Sequence, residues 1–475
     1  MPNLTRTPLG ELVRVLDQGR LLRVEDAKGN SVAGTLEVFH PGFSQGAPIV
    51  GVGGTGFSLS NVAVVAGSPT ISMETGPTGL PALRVITGVG VDAEIKFPAL
   101  DNTISWGDAF LSLTGSYSAG NLDAVSVYVS QDAGGYAKGW VNQIQYGYAA
   151  PLNNPFEQGG PVTYWHRWAA NNNFGTPTVP AFVADHKLRI KPRAGMQANV
   201  LIHGFGFAAR RPKGRLCVVW DDGYDSMFKL GFHSLASRGI AQTLAIAGSL
   251  QGTGNGTSNL NQARAFVNAG GAVVAHGPWG NGGAGDLFSA YPGSANPVAT
   301  AVADMQLARD YLYANDLLRP GADRCYVWPQ GTFQQSVNST ALLDASIAAG
   351  FTFGRSASPN QSNFVNWDAC SRYMRLCCPV IGHTWAGTTA AEATNITNIT
   401  NAIAALGTQR ADAFLMLHRV QPTATADGSM SSIGIRFGDL ETIAAAIATQ
   451  VSNGVLETVT MADMALASPT LWSSV

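Results

Sequence analysis

Val218-Val219-Trp220-Asp221-Asp222-Gly223-Tyr224-Asp225 is an apolar run that stops at two adjacent carboxylates and a glycine. A short apolar run, here Leu216 to Trp220, that ends on a turn signal reads as a strand buried on both faces. The Asp-Asp-Gly after it is a turn, which alone suits an N-cap before the next helix as well as it suits chemistry. Outward from this point the unit repeats. Ser226 to Ser237 is helical, Gln242 to Ala247 is a strand before a helix over Leu260 to Asn268, and Ala272 to Ala275 is a strand before Val298 to Ala314. Cys325 to Trp328 then Ser339 to Ala349, Phe351 to Phe353, Ala413 to Leu417 then Leu440 to Gln450, and Leu456 to Thr460 continue the alternation. Gly239, Gly270 and Gly350 stand where helices end in a left-handed residue. Seven or so such units predict a parallel (β/α) barrel, complete or distorted.

Toward the N-terminus the period changes across Arg210-Arg211-Pro212-Lys213-Gly214-Arg215. Ala82 to Thr87, Ala93 to Phe97, Phe110 to Thr114, Ala124 to Val129, Lys187 to Lys191 and Asn199 to Ile202 read as short strands set apart by Gly, Pro, Asn and Asp. Strands without helical stretches between them predict an antiparallel β-sandwich of jelly-roll type. The expected organisation is multidomain: 1–45 an attachment or oligomerisation segment, 46–209 a β-sandwich suited to binding carbohydrate, and 210–475 the distorted parallel barrel. Within Thr7 to Val38 the apolar residues fit a short helix or two strands equally well.

The chain has 475 residues, enough for two hydrophobic cores. Only 13% of residues are charged, 55 are glycine, and the formal net charge is −2 with no basic block. That balance gives no footing for counterion-release binding to nucleic acid, and a surface of Ser, Thr, Asn and Gly suits a glycan-facing protein. The five cysteines are an odd number with two adjacent, so no disulfide or zinc-ribbon spacing is legible. The first residues lack the apolar core of a signal peptide, and no run of 18 apolar residues follows, so the expectation is a protein without a signal peptide or a membrane partner.

In a parallel barrel the reacting groups gather where strands end. Four strand ends carry polar residues of interest: Asp221-Asp222-Gly223; His276-Gly277-Pro278-Trp279 after Ala272 to Ala275; Trp328-Pro329-Gln330-Gly331 after Cys325 to Val327; and His418 after Phe414 to Leu417. Singly, each reads as well as a turn or a hydrogen-bonded histidine as it does a site. Adjacent carboxylates repel, and a cation relieves the repulsion while leaving one free as a base. Trp220, Tyr224, Trp279, Trp328 and Trp385 are candidates for sugar stacking, Trp220 and Trp328 equally for the core. Trp279, in a Gly-Pro-Trp-Gly loop, is the better candidate for substrate contact. Tyr164-Trp165-His166-Arg167-Trp168 is the densest aromatic cluster of the first half, equally a glycan groove or a packed edge.

In order, these four stretches resemble the NodB-homology polysaccharide deacetylases, carbohydrate esterase family four, over roughly residues 216 to 466. The resemblance implies Asp221 as general base, Asp222 and His276 as metal ligands, and His418 as general acid. It further implies a site-lining turn at Pro329, Gln330 and Gly331, and a divalent metal, Zn²⁺ first among those. The family's second motif places another histidine four residues on, where this chain has Gly280, so Asn281 is taken as the third ligand, with Asp286 or water as alternatives. The motif-three arginine is also absent, Val327 standing in its place. Arg324 or Arg355 is expected to supply the charge, and Arg355 is placed with Trp279 and Trp385 among the substrate contacts.

The function implied is a metal-dependent deacetylase, a hydrolase acting on an acetyl ester or amide of a bacterial surface polysaccharide. Without a leader, and with an appended β-rich region, the chain looks like a phage tail-spike protein, located in the virion or outside the cell. By analogy it would be a homotrimer, in company with other phage tail proteins. The alternative is a receptor-recognition protein whose degenerate barrel binds glycan without hydrolysing it.

Overall fold

The structure is a computed structural model of the single chain. It describes residues 4–6, 12–15, 22–25, 59, 62–75, 81–96, 109–117, 121–132, 134–145, 162–166, 173–177, 184–209, 212–248, 258–277, 297–331, 333, 341–359, 378–384, 386–422 and 433–467. The chain divides into two compact units, one built on Met1–Arg210 and the other on Arg211–Asp368 with Arg372–Ser468.

In the first unit two sheets are antiparallel throughout. One has the order Asn173–Phe174, Gly139–Gln145, Leu122–Ser130, Asp185–Pro192, Ala93–Lys96, Ala63–Ala66. The other has the order Val162–His166, Ala109–Tyr117, Asn199–Ala209, Pro81–Ile86, Thr70–Thr75. The two-residue alternation sorts the faces of the first sheet: Val125, Val127, Leu188, Ile190 and Ile95 are buried. Lys187 pairs with Glu94 at 2.7 Å and Arg189 with Asp92 at 2.5 Å on the opposite face. The antiparallel expectation is met by these two sheets. The first segment, left open between helix and strands, holds three short antiparallel strands, Leu4–Arg6, Leu12–Val15 and Leu22–Glu25.

The second unit contains a parallel sheet that returns on itself. Its strands run, in chain order, Gly214–Asp221, Gln242–Ala247, Ala272–His276, Cys325–Val327, Phe353–Pro359, Cys378–Gly382 and Asp412–Leu417. Each pairs in parallel with the next, and the first pairs with both the second and the seventh, which makes a nearly closed barrel. Leu456–Thr458 adds an eighth strand beside the beginning of the first. Every residue of the first, second, third and seventh strands is buried, as expected of strands enclosed on both faces. Helices close the units as their sequences direct. Asn259 and Gln262 form a reciprocal capping box ahead of Leu260–Asn268, and Thr388 caps Thr389–Gln409 by accepting from Ala391 N.

Two sequence expectations are corrected. The strand placed at Phe351 to Phe353 lies at Phe353–Pro359, and Cys378–Gly382, not anticipated at all, is the sixth barrel strand. Pro379 lacks a backbone donor, which argues against a central strand on sequence grounds. The pairing there is irregular: Arg355 faces Cys378, and the next partners are Pro359 and Val380. The described cysteines Cys217, Cys325 and Cys378 are free, buried thiols. Among the described residues no helix is long and apolar enough to cross a membrane.

Candidate active site

The polar strand ends of the first, third and seventh barrel strands meet at the carboxyl-terminal end of the sheet. Asp221 is the last residue of the first strand and is 4% exposed. The chain then turns through two left-handed residues, Asp222 at φ 68° and Gly223 at φ 72°. A side chain at position 223 would be strained by that φ and would press on Ser258 Oγ at 3.1 Å, so the glycine is demanded by the turn. Left-handed backbone at a non-glycine residue costs of order 1–3 kcal/mol and persists where the surroundings fix it. Here it sends neighbouring carboxylates in different directions, Asp221 toward Arg355 and His418, and Asp222 toward His276.

Arg355, from the fifth strand, donates from Nη2 to Asp221 Oδ1 and from Nη1 to Ser356 O at 2.9 Å. Its Nε is buried with no acceptor. Expected among the substrate contacts, Arg355 is 1% exposed and held against the candidate base. The other Asp221 oxygen, Oδ2, faces His418 Nε2 at 3.7 Å. His418 follows the seventh strand directly, and its Nδ1 is buried without a hydrogen-bond partner. Burial pushes the His418 imidazole below its ordinary 6.5, with Arg355 and His276 acting in the same direction and Asp221 and Asp222 opposing them.

His276 ends the third strand. Its Nδ1 lies 2.8 Å from Val327 O, and a carbonyl only accepts, so Nδ1 carries a proton and the other nitrogen is the free one. That nitrogen, Nε2, is 3.2 Å from Asp222 Oδ1. Two acceptors face each other at that distance unless a positive charge answers both. Burial lowers the His276 pKa, but the Asp222 hydrogen bond and the charges of Asp221 and Asp222 outweigh it and leave the group above 6.5. For Asp222, burial raises the pKa, while the hydrogen bond and charge of His276 and the charge of His418 outweigh it and hold the carboxyl at about 2.

The same donor chemistry fits a divalent cation. A carboxylate oxygen and an imidazole nitrogen converge, with the second imidazole nitrogen tied to a backbone carbonyl, the usual support for a metal-binding histidine. The described residues supply this pair and no more; among them no group of three His, Cys, Asp or Glu is arranged to hold a metal. Asn281, Asp286, Trp279 and Trp385 lie outside the described residues.

The turn after the fourth strand is built from Pro329, Gln330 at φ 52° and Gly331 at φ 73°. A Cβ on Gly331 would sit 2.3 Å from Ala357 N, so the turn packs directly on the fifth strand. Pro329 and Gly331 are buried, and Gln330 alone of the three is exposed. Trp220 and Trp328 belong to the core: the indole Nε1 of Trp220 donates to Gln242 Oε1 at 2.9 Å, and Trp328 packs edge-on against Tyr326. In the first unit, Val162–His166 is a strand, and Arg167 and Trp168 lie outside the described residues. The sequence reading gave no role to Arg419 or to Glu392, whose Oε1 lies 2.5 Å from Nε2 of the buried His383. Arg419 stands beside His418 and His383 beside the sixth strand, so position at a strand end was the available signal.

No protein-family profile and no curated protein matches the sequence. Among solved structures, the chain is similar to a family 4 carbohydrate esterase from Streptomyces lividans, at 14% identity over 52% of this chain and 91% of that one, with a TM-score of 0.30. It is also similar to a peptidoglycan deacetylase from Bacillus subtilis, at 12% identity over 53% and 91% of the two chains, with a TM-score of 0.29. An exo-beta-agarase overlaps 32% of this chain and 23% of its own, at 11% identity and a TM-score of 0.22. Overlaps this loose leave the chemistry to be read from the side chains of this chain.

Proposed function

We propose that the second unit is a hydrolase that removes acetyl groups from a bacterial surface polysaccharide. The observation that carries the reading is the pairing at one strand end: Asp221 with an open carboxylate oxygen 3.7 Å from His418, beside Asp222 and His276 converging at 3.2 Å. Hydrolysis of an ester or amide needs a base for the attacking water and an acid for the leaving group. Asp221 is the base. Arg355 occupies one of its oxygens and fixes the carboxylate, so the remaining oxygen is presented to the water. His418 is the acid: from its Nε2 it returns a proton to the departing sugar oxygen or amine. Asp222 and His276 would hold a divalent cation, Zn²⁺ first among those, which when bound polarises the acyl oxygen and acidifies water. The remaining ligand positions fall to water or to the stretch after Gly277.

The same reading extends to the chain as a phage tail-spike protein, acting as a homotrimer on the host's glycan coat with other tail proteins. It is supported by the low charge, the glycine-rich composition and the β-rich first unit. In that reading the first unit, taken as a jelly-roll, binds the carbohydrate. Gly280, standing where a further ligand is expected, favours one other function: a barrel that binds glycan without hydrolysing it.

Elemental analysis of the purified chain, beside Asp222→Ala and His276→Ala, separates the two. About one divalent ion per chain, lost in both variants, with acetate released from acetylated glycans, is the expected result, since a structural carboxylate–imidazole pair is a sufficient start for a metal site. A wild type that takes up no metal from excess Zn²⁺, Co²⁺ or Ni²⁺ and releases no acetate would establish the binding protein instead.

A further inference from the structure

The polysaccharide so far has no chemical class beyond carrying acetyl groups. One side chain at the site has no part in the mechanism. Arg419 follows the acid His418 directly, and its backbone is fixed from two sides. Its strand, Arg419–Gln421, pairs in parallel with Gly434–Arg436, and Val420 N donates to Ser226 Oγ at 3.1 Å. The guanidinium carbon lies 4.1 Å from the centre of the Tyr224 ring, within cation–π distance. The charges of Asp222 and Arg419 both act on Tyr224, so the cation stands one ring away from the Asp222–His276 pair.

Among the described residues no carboxylate answers the charge of Arg419. Asp221 is matched by Arg355 and Asp222 by His276. Elsewhere in the same unit Arg215, Arg238 and Arg436 each meet a carboxylate. Arg419 meets none among the described residues, and its Nε is buried with no acceptor. A buried guanidinium donor without a partner is costly, and a planar fork with open edges fits an oxyanion in two-point fashion. Sugar hydroxyls provide neutral acceptors only, which would leave the charge as unmatched as it is now.

The geometry points to Arg419 as a specificity-determining residue that receives an anionic group of the glycan, a hexuronate carboxylate or a phosphodiester, on or next to the acetylated sugar. This rests on the hydrolase reading for the position of the acetyl group, but the anion subsite itself needs no turnover. Tyr224 supports the guanidinium, and the anion that Arg419 holds sets which sugar is presented to Asp221 and His418.

The test is binding and turnover of matched acetylated oligosaccharides by the full chain: one of hexuronate, one bearing phosphodiesters, one neutral. Charge-assisted hydrogen bonds are worth roughly 1.5–3 kcal/mol, so wild type is expected to bind an anionic oligosaccharide about tenfold or more tighter than the neutral one. Arg419→Met retains the stem over Tyr224 and should bring that ratio toward one, while Arg419→Lys should recover part of it. Which anionic oligosaccharide shows the preference identifies the source of the anion. Equal binding of all three by the wild type overturns the inference, whether or not either variant folds, and so does a preference that survives Arg419→Met. If acetate is released from none of them while the Arg419-dependent preference stands, the hydrolase reading falls and the anion subsite remains.

Discussion

The first barrel strand carries a buried arginine–aspartate pair near each end, and the two pairs are built differently. Near its start, Arg215 faces Asp412 directly across the ladder and meets it with a two-point fork, Nε to Oδ1 at 2.8 Å and Nη2 to Oδ2 at 2.6 Å. Both carboxylate oxygens are occupied and both residues are buried. At its other end, Arg355 meets Asp221 through one nitrogen and leaves the second oxygen facing His418. The residue types and the burial are alike, yet the first pair closes a carboxylate off and the second holds one half-open. A closed pair can only join two strands; a half-open one can also take a proton.

The sharpest way to break this comparison is Asp221→Asn, which keeps the shape and removes the proposed base. Loss of a general base lowers kcat/KM by about 10²–10⁴-fold, read as acetate release. Activity that survived would make Asp221 merely the counter-ion of Arg355. At the other end, Arg215→Ala strands a buried Asp412 charge, which costs roughly 3–5 kcal/mol in urea unfolding. Acetate release per folded molecule should stay near wild type, because the strand ends of the proposed site are untouched. A large loss of activity without loss of stability would mean that the two ends are not separable in this way.

Much of the arrangement was legible because the barrel strands announce themselves. Leu216 to Trp220, Ala272 to Ala275 and Phe414 to Leu417 are apolar runs, and the polar residue that ends each run is the one that reaches the site. Gly239, Gly270 and Gly350 adopt the left-handed conformation their position after a helix predicts. The Asp221 partner was legible only as one of two alternatives, Arg324 or Arg355. Arg355 is 134 residues away in sequence and separated from the first strand by two others in the sheet, so closure of the barrel, not any local pattern, brings it to the carboxylate. Arg355 was expected to supply the charge of the absent motif-three arginine and to contact substrate; in the structure it is buried against Asp221. Trp220 and Trp328 show the same limit, since a tryptophan at a strand end faces the site or the core according to a ladder register the sequence does not disclose.

The smallest effect concerns the open side of the comparison. An acid must be protonated to act, and burial holds His418 below 6.5. Its donating form is therefore populated only below that depressed pKa, so kcat/KM should fall as pH rises through it, beginning on the acid side of 6.5. Any cation held by Asp222 and His276 would repel the protonated imidazole and move the fall further in the same direction. In a pH–rate profile His418→Gln should lower the plateau and remove this limb. A fall that began above 6.5 would mean that another group gives up the proton, and His418 would then be only the neighbour of an Asp221 kept half-open for a different donor.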